Sequence, residues 1–196
     1  MKTALFGGTF DPVHLGHLLM AEAARERFGL DRVVFVTAGL PPHKKKPSTP
    51  PEHRLRMVRL AVRSNPFFSV SDWEIRQRRV VYTYETLAHF RASYPRDRLF
   101  FLVGSDSLRD LPMWRRGPSL LKECRFLVVE RPETPWTSLP ASLRRQARLV
   151  PSFPVPFSSH QIRRRVFLRR SIRYQVPEAV DRYIAARRLY RAKTSA

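Results

Sequence analysis

Five short runs of β-branched and aromatic residues, at positions 3–6, 33–36, 67–70, 99–103 and 126–129, punctuate the first two thirds of the chain. Apart from Thr3 and Ser69 they are apolar rather than alternating, a pattern compatible with strands buried on both faces. Helical periodicity fills the intervals at 17–28, 52–63 and 84–94. Gly29 closes the first helix, Pro50 and Pro51 open the second, and Thr83 is placed to cap the third. Strand and helix therefore alternate, which predicts right-handed crossovers and a parallel sheet covered on both sides. Ligands are then expected beyond the carboxyl ends of the strands, where the winding reverses. Residues 133–156 break the rhythm with Pro135, Pro140, Pro151, Pro154 and Pro156, and read as a surface connector to a C-terminal helical piece.

A chain of 196 residues suits one domain with at most a small appended subdomain. With 43% hydrophobic and 27% charged residues it is too apolar to be wholly disordered. Charge changes the picture more: 37 lysines and arginines face 16 acids, a formal net charge of +21. From Pro140 onward, 14 basic residues stand against Glu178 and Asp181, a net +12. Such an excess attracts anions without choosing among polynucleotide, membrane and small nucleotide. The single cysteine, Cys124, excludes an intrachain disulfide and a multi-cysteine zinc site, and is expected to be a buried, inert thiol. No apolar run approaches the length of a membrane span or a signal-peptide core, so a cytoplasmic protein is expected. Nothing in the sequence speaks to oligomeric state.

The most informative segment joins the first strand to the first helix: Gly7-Gly8-Thr9-Phe10-Asp11-Pro12-Val13-His14-Leu15-Gly16-His17. Paired glycines let the backbone approach a ligand, and the helix that follows turns free N–H groups toward anions. His14 and His17, three apart, can aim two imidazoles at one phosphoryl group. A plain tight turn, a metal-binding histidine pair and solvent-facing helix residues are the competing readings. The Walker and dinucleotide glycine spacings are both absent.

Three further segments suit the same chemistry. Gly104-Ser105-Asp106 ends the fourth strand, where a carboxylate can accept bonds from ribose hydroxyls, as well as serve a simple turn. Tyr82 through Leu87 is a helix start whose N–H groups can receive a carboxylate. Phe157-Ser158-Ser159-His160-Gln161-Ile162-Arg163 opens a helix in which Ser158 and Gln161 have capping-box spacing and Ile162 and Val166 face inward. Arg163 lies near its phosphate-binding end, while Arg164 and Arg165 belong to a solvated face.

His14-Leu15-Gly16-His17 resembles the motif that defines the His/Thr-x-Gly-His nucleotidyltransferase superfamily. Gly-Gly-Thr-Phe-Asp-Pro ahead of it is similar to the bacterial nicotinate-mononucleotide adenylyltransferases. The resemblance extends through Pro41-Pro42-His43-Lys44, Gly104 to Trp114 and Ser158 to Arg163, and on to Ser171-Ile172-Arg173-Tyr174-Gln175-Val176-Pro177. It departs at Thr37 and Ala38, where the family carries proline and asparagine, at His160 in place of a hydroxyl residue, and at Arg170 in place of glycine.

The resemblance implies a Rossmann-like, doubly wound five-stranded parallel sheet over residues 1–156, with a small helical subdomain over 157–196 carrying the second phosphate motif. It implies transfer of adenylate from ATP to nicotinate mononucleotide, with Mg2+ accompanying ATP and no dedicated metal site. His14, His17 and Arg163 are the expected catalytic residues. Gly7, Gly8, Thr9, Phe10, Gly104, Asp106, Ser158 and Ser159 would join them in binding ATP. His43, Lys44, Thr83, Tyr84 and Trp114 would bind the mononucleotide. A related adenylyltransferase acting on nicotinamide mononucleotide or pantetheine phosphate is the nearest alternative. A basic nucleic-acid-binding protein is the alternative from another class, although no nucleic-acid motif accompanies the charge.

Overall fold

The computed structural model describes residues 1–41, 47, 49–151 and 157–191. In chain order the elements are β1 (Lys2–Gly8), α1 (Leu15–Phe28), β2 (Arg32–Thr37), α2 (Pro51–Val62), β3 (Phe68–Ser71) and the single turn α3 (Trp73–Arg76). Then come α4 (Thr83–Ser93), β4 (Arg98–Gly104), α5 (Ser105–Asp110), α6 (Gly117–Glu123) and β5 (Arg125–Val129). The last are α7 (Ala141–Gln146), β6 (Ala147–Val150), α8 (Ser159–Phe167) and α9 (Glu178–Ala186).

The strands form one parallel sheet in the order β3-β2-β1-β4-β5-β6. Each face is covered. One core joins Phe6, Phe35, Phe100 and Leu102 to inward residues of α1, α2, α8 and α9; the other joins Leu5, Val36, Phe101 and Phe126 to those of α4, α5 and α6. The winding reverses between β1 and β4, so the loops leaving these two strands flank the crevice where ligands bind in this architecture.

The sheet has six strands where five were expected, and the proline-rich stretch is more than a connector. Residues 141–146 form α7, and β6 pairs with β5 from Phe126↔Ala147 to Val129↔Val150. This edge strand is only four residues long. It buries Ala147 and Val150 on opposite faces and exposes Arg148 and Leu149, so no apolar run betrays it. The start of α4 also differs: Tyr82 is the cap residue, and its N–H donates to the Glu85 carboxylate at 2.9 Å, leaving Thr83 as the first helical residue. Cys124 is buried and its thiol is pushed up to about 12 by burial, which keeps it protonated and inert. No helix among the described residues is long and apolar enough to cross a membrane.

Candidate active site

The end of β1 is held bare. Gly8 pairs with Thr37, and the Ala38 N–H donates to the Gly8 carbonyl at 2.9 Å. A Cβ on Gly8 would stand 2.7 Å from the Phe10 ring, so only glycine leaves this backbone open to a ligand. Phe10 itself is 2% exposed, and its ring packs against Phe6, Phe35 and His17. Its aromatic side chain is therefore core, and from this expected ATP-binding residue only the main chain faces the turn.

The two histidines come together as their spacing anticipates. His14 caps α1, His17 lies on its first turn, and their rings stack with centroids 3.7 Å apart. The His14 N–H donates to His17 Nδ1 at 3.2 Å, so in the neutral tautomer His17 carries its proton on Nε2. Burial, assisted by the Arg131 cation, pushes His14 down to about 3. At neutral pH it is therefore an uncharged imidazole, 2% exposed, and its Nδ1 has no hydrogen-bond partner among the described residues.

The C-terminal segment closes on this turn. Ser158 caps α8 by accepting the Gln161 N–H at 3.2 Å, as the capping-box spacing predicts. Ser159 Oγ donates to the Pro12 carbonyl at 2.8 Å, and Arg163 donates to the Asp11 carbonyl at 2.7 Å. The Tyr190 hydroxyl adds a bond to the Asp11 carboxylate at 2.8 Å. Behind the turn, Leu15 N–H donates to Gln175 O at 2.9 Å, while Ile172 and Val176 enter the first core. Two segments some 147 residues apart, the turn after β1 and the start of α8, thus meet at one place. Arg164 is exposed, as expected, whereas Arg165 binds the Ser171 carbonyl at 2.7 Å.

At the end of β4, Asp106 is exposed on the first turn of α5. A Cβ on Gly104 would collide with the Asp106 carboxylate and lie 3.0 Å from Arg131 Nε. Ser105 ties this end to the β5 exit: its hydroxyl donates to Thr134 O at 2.6 Å and accepts the Arg131 N–H at 2.8 Å. Beside it runs a cleft of about 830 Å3, lined in part by Gly16, Leu19, Met20, Val129, Arg131 and Pro132. Arg131 escaped the sequence reading, and only its place after a central strand hinted at it.

The other flank is built from α4 and the turn after α5. Thr83 and Tyr84 are the first two residues of α4, so their N–H groups have no acceptor within the helix. Trp114 is half-buried against the second core, and the cations that follow it lie over this helix start: Arg115 is 4.9 Å from the Tyr82 ring and Arg116 4.7 Å from the Tyr84 ring. Neither arginine was singled out from sequence. Nor was Glu74, which accepts from the Thr86 hydroxyl at 2.7 Å and is raised by burial to about 7. Thr37, at a position of departure from the family, is buried, and its hydroxyl has no partner among the described residues. His43 and Lys44 lie outside the described residues. No group of three or more His, Cys, Asp or Glu side chains that could hold a metal ion occurs among the described residues.

Comparison with known proteins places this geometry. Residues 5–165 match the Cytidylyltransferase-like family. A protein of Moorella thermoacetica named "Probable nicotinate-nucleotide adenylyltransferase" is 42% identical, over 98% of this chain and 93% of its own. Proteins of the same name from Exiguobacterium sibiricum and Thermus thermophilus are 46% and 45% identical, each over 97% of this chain and 99% and 100% of their own. Among solved structures, the Plasmodium falciparum nicotinic acid mononucleotide adenylyltransferase complexed with NaAD has a TM-score of 0.80 at 20% identity, covering 97% of this chain and 98% of its own, a likeness of fold. With a bare glycine turn, stacked histidines and a capped helix meeting at one crevice, and with relatives of this identity along nearly its whole length, the chain belongs to the nicotinate-nucleotide adenylyltransferase family.

Proposed function

We propose that the protein transfers the adenylyl group of ATP to the phosphate of nicotinate mononucleotide, giving deamido-NAD and pyrophosphate. A phosphate oxygen of the mononucleotide attacks the α-phosphorus, the bond from that phosphorus to the bridging oxygen breaks, and pyrophosphate leaves with the electron pair. The attacking group is already ionised, so no general base and no covalent enzyme intermediate are needed. The protein's work is alignment and charge stabilisation.

The observation that carries the reading is the seating of α8 on the β1 turn through Ser159 and Arg163. It brings an arginine and a helix N-terminus against the turn that leads into the two histidines. His17, with Nε2–H as its donor, and the neutral His14 would contact phosphoryl oxygens. The unpartnered His14 Nδ1 costs about 1–3 kcal/mol while it stays unsatisfied. An imidazole that regains its hydrogen bonds as the phosphates arrive offsets that cost. Gly7, Gly8, the Thr9 and Phe10 main chain, and Ser158 would line the triphosphate, with the ribose at Gly104 and Asp106 and the base toward the neighbouring cleft. At the other flank, the free amides of Thr83 and Tyr84 suit a carboxylate and would favour nicotinate over the amide, beneath the Trp114 ring. His43 and Lys44 are assigned to the mononucleotide phosphate by family resemblance.

The side chains that converge on the phosphates are donors, a set that fits phosphate oxygens rather than a bare cation. Magnesium is therefore assigned to ATP itself, where it would neutralise part of the triphosphate charge. Residues 1–156 and 157–196 act as one catalytic body in this reading, in the cytoplasm, with no specific nucleic-acid partner. Pyrophosphate release measured with nicotinate mononucleotide, nicotinamide mononucleotide and pantetheine phosphate tests it. The nicotinate form should be the preferred acceptor. A preference for either of the others refutes the assignment, and salt-sensitive nucleic-acid binding without any transfer refutes the enzyme.

A further inference from the structure

The bulkiest fully buried side chain among the described residues is a charged one, Arg54. It occupies the inner stripe of α2 with Met57, Val58, Ala61 and Val62, where an apolar residue would sit at less desolvation cost. Its guanidinium reaches the carboxyl end of the sheet and there binds main-chain carbonyls from three separate stretches. Nη1 donates to Thr9 O at 2.8 Å and Ala38 O at 2.6 Å, Nη2 to Gly39 O at 2.8 Å, and Nε to Thr49 O at 3.2 Å. Thr9 follows β1, and Ala38 and Gly39 follow β2, just past the last pair of the sheet register, Gly8↔Thr37. The planar fork of donors thus continues the joining of the two strands beyond the point where the ladder ends. Burial lowers the Arg54 pKa from its ordinary value, and the charge of the nearby Asp11 carboxylate opposes that shift. On its far side the Ala38–Gly39 turn is blocked, because a Cβ at Gly39 would lie 2.8 Å from the Glu74 carbonyl.

We propose that Arg54 is a positioning residue, a main-chain clamp that sets the separation between the ATP-side turn at Thr9 and the acceptor-side turn at Ala38 and Gly39. The inference rests on the adenylyl-transfer reading above. In-line transfer requires the mononucleotide phosphate to meet the α-phosphorus at contact distance, and a shift of about 1 Å between two reactants can cost on the order of a hundredfold in rate. Lysine would keep the charge but not the fork, since one ammonium cannot reach carbonyls spread around the whole edge of the planar guanidinium.

The test compares Arg54→Lys and Arg54→Met with Met57→Ala, which opens a cavity in the same helix without touching either turn. Pyrophosphate release is measured with ATP and nicotinate mononucleotide varied in turn. Amide hydrogen exchange is followed in peptides covering the two turns in the unliganded protein. For Arg54→Lys, kcat/KM for the acceptor should fall by roughly thirty- to a hundredfold with a raised acceptor KM. Exchange should quicken at both turns while the rest of β1 and β2 stays protected. Met57→Ala should lower the urea midpoint yet keep wild-type KM values. Wild-type kinetics in Arg54→Lys, equal KM changes in Met57→Ala, or failure of both Arg54 variants to fold would overturn the proposal, the last by assigning Arg54 to the fold alone. A wild-type protein that transfers nothing sinks the adenylyl-transfer reading instead, while the exchange data still report on the clamp.

Discussion

Acidification from about pH 7.5 to about pH 5 is expected to remove about 2 kcal/mol of stability through His14 alone. The residue is 2% exposed, and burial first, then the Arg131 cation, holds its folded-state pKa near 3, against 6.5 for a solvated imidazole. Between those two values the unfolded chain binds the extra proton and the folded one does not. Stability from this group is therefore complete above pH 6.5 and is lost as the pH falls toward 3. Each pH unit inside the window is worth up to about 1.4 kcal/mol, and about one and a half such units are crossed by pH 5. The assay is urea unfolding, followed by tryptophan fluorescence, for the wild type and His14→Asn at both pH values. The variant carries no titrating group there, so every other titration cancels in the difference. The wild type should lose about 2 kcal/mol more than the variant. A difference that stays constant within about 0.5 kcal/mol would show that His14 ionises freely in the folded protein, and the neutral-imidazole argument would fail.

Glu74 should show the opposite sign. Its folded pKa is raised to about 7 by burial, so its contribution is present below about pH 4.5 and fades as the pH rises through 7; Glu74→Gln should gain stability over the wild type between pH 5 and pH 8 in the same urea assay. His17→Ala should lower kcat by about 10²–10³ through loss of a phosphoryl donor, while the urea midpoint moves little; unchanged turnover would remove His17 from the catalytic set. Gly104→Ala pushes its Cβ against the Asp106 carboxylate, the end of an exposed side chain that can swing aside. The variant should stay within about 1 kcal/mol of the wild type but raise the KM for ATP, as steady-state rates at saturating acceptor would reveal.

The apolar runs of the central strands reported them faithfully because a strand buried on both faces needs them, and each of these strands extends its run by at most two residues at either end. Edge strand β3, by contrast, lies one residue beyond its run and is not buried on both faces. β6 was hidden for the converse reason: with Arg148 and Leu149 in solvent, its existence rests on pairing with β5, which no local pattern encodes. The Ser158 cap was legible because its bond spans three residues. The α4 cap was misplaced by one residue because threonine is the better intrinsic cap, yet Glu85 satisfies the Tyr82 amide. Arg54 carried a signal that went unread, a charge at the head of the apolar stripe 57, 58, 61, 62.

By itself the sequence determined the alternation of strand and helix, the glycine turn with its paired histidines, and the capped helix near the C-terminus. These depend on neighbours a few residues away, where backbone sterics and short-range hydrogen bonds decide. Only the tertiary structure settled that the turn and the helix meet, that His14 is buried, and that buried Arg54 joins two turns. Each of those outcomes depends on burial and on contacts across the sheet, and these arise only when distant segments pack and exclude water.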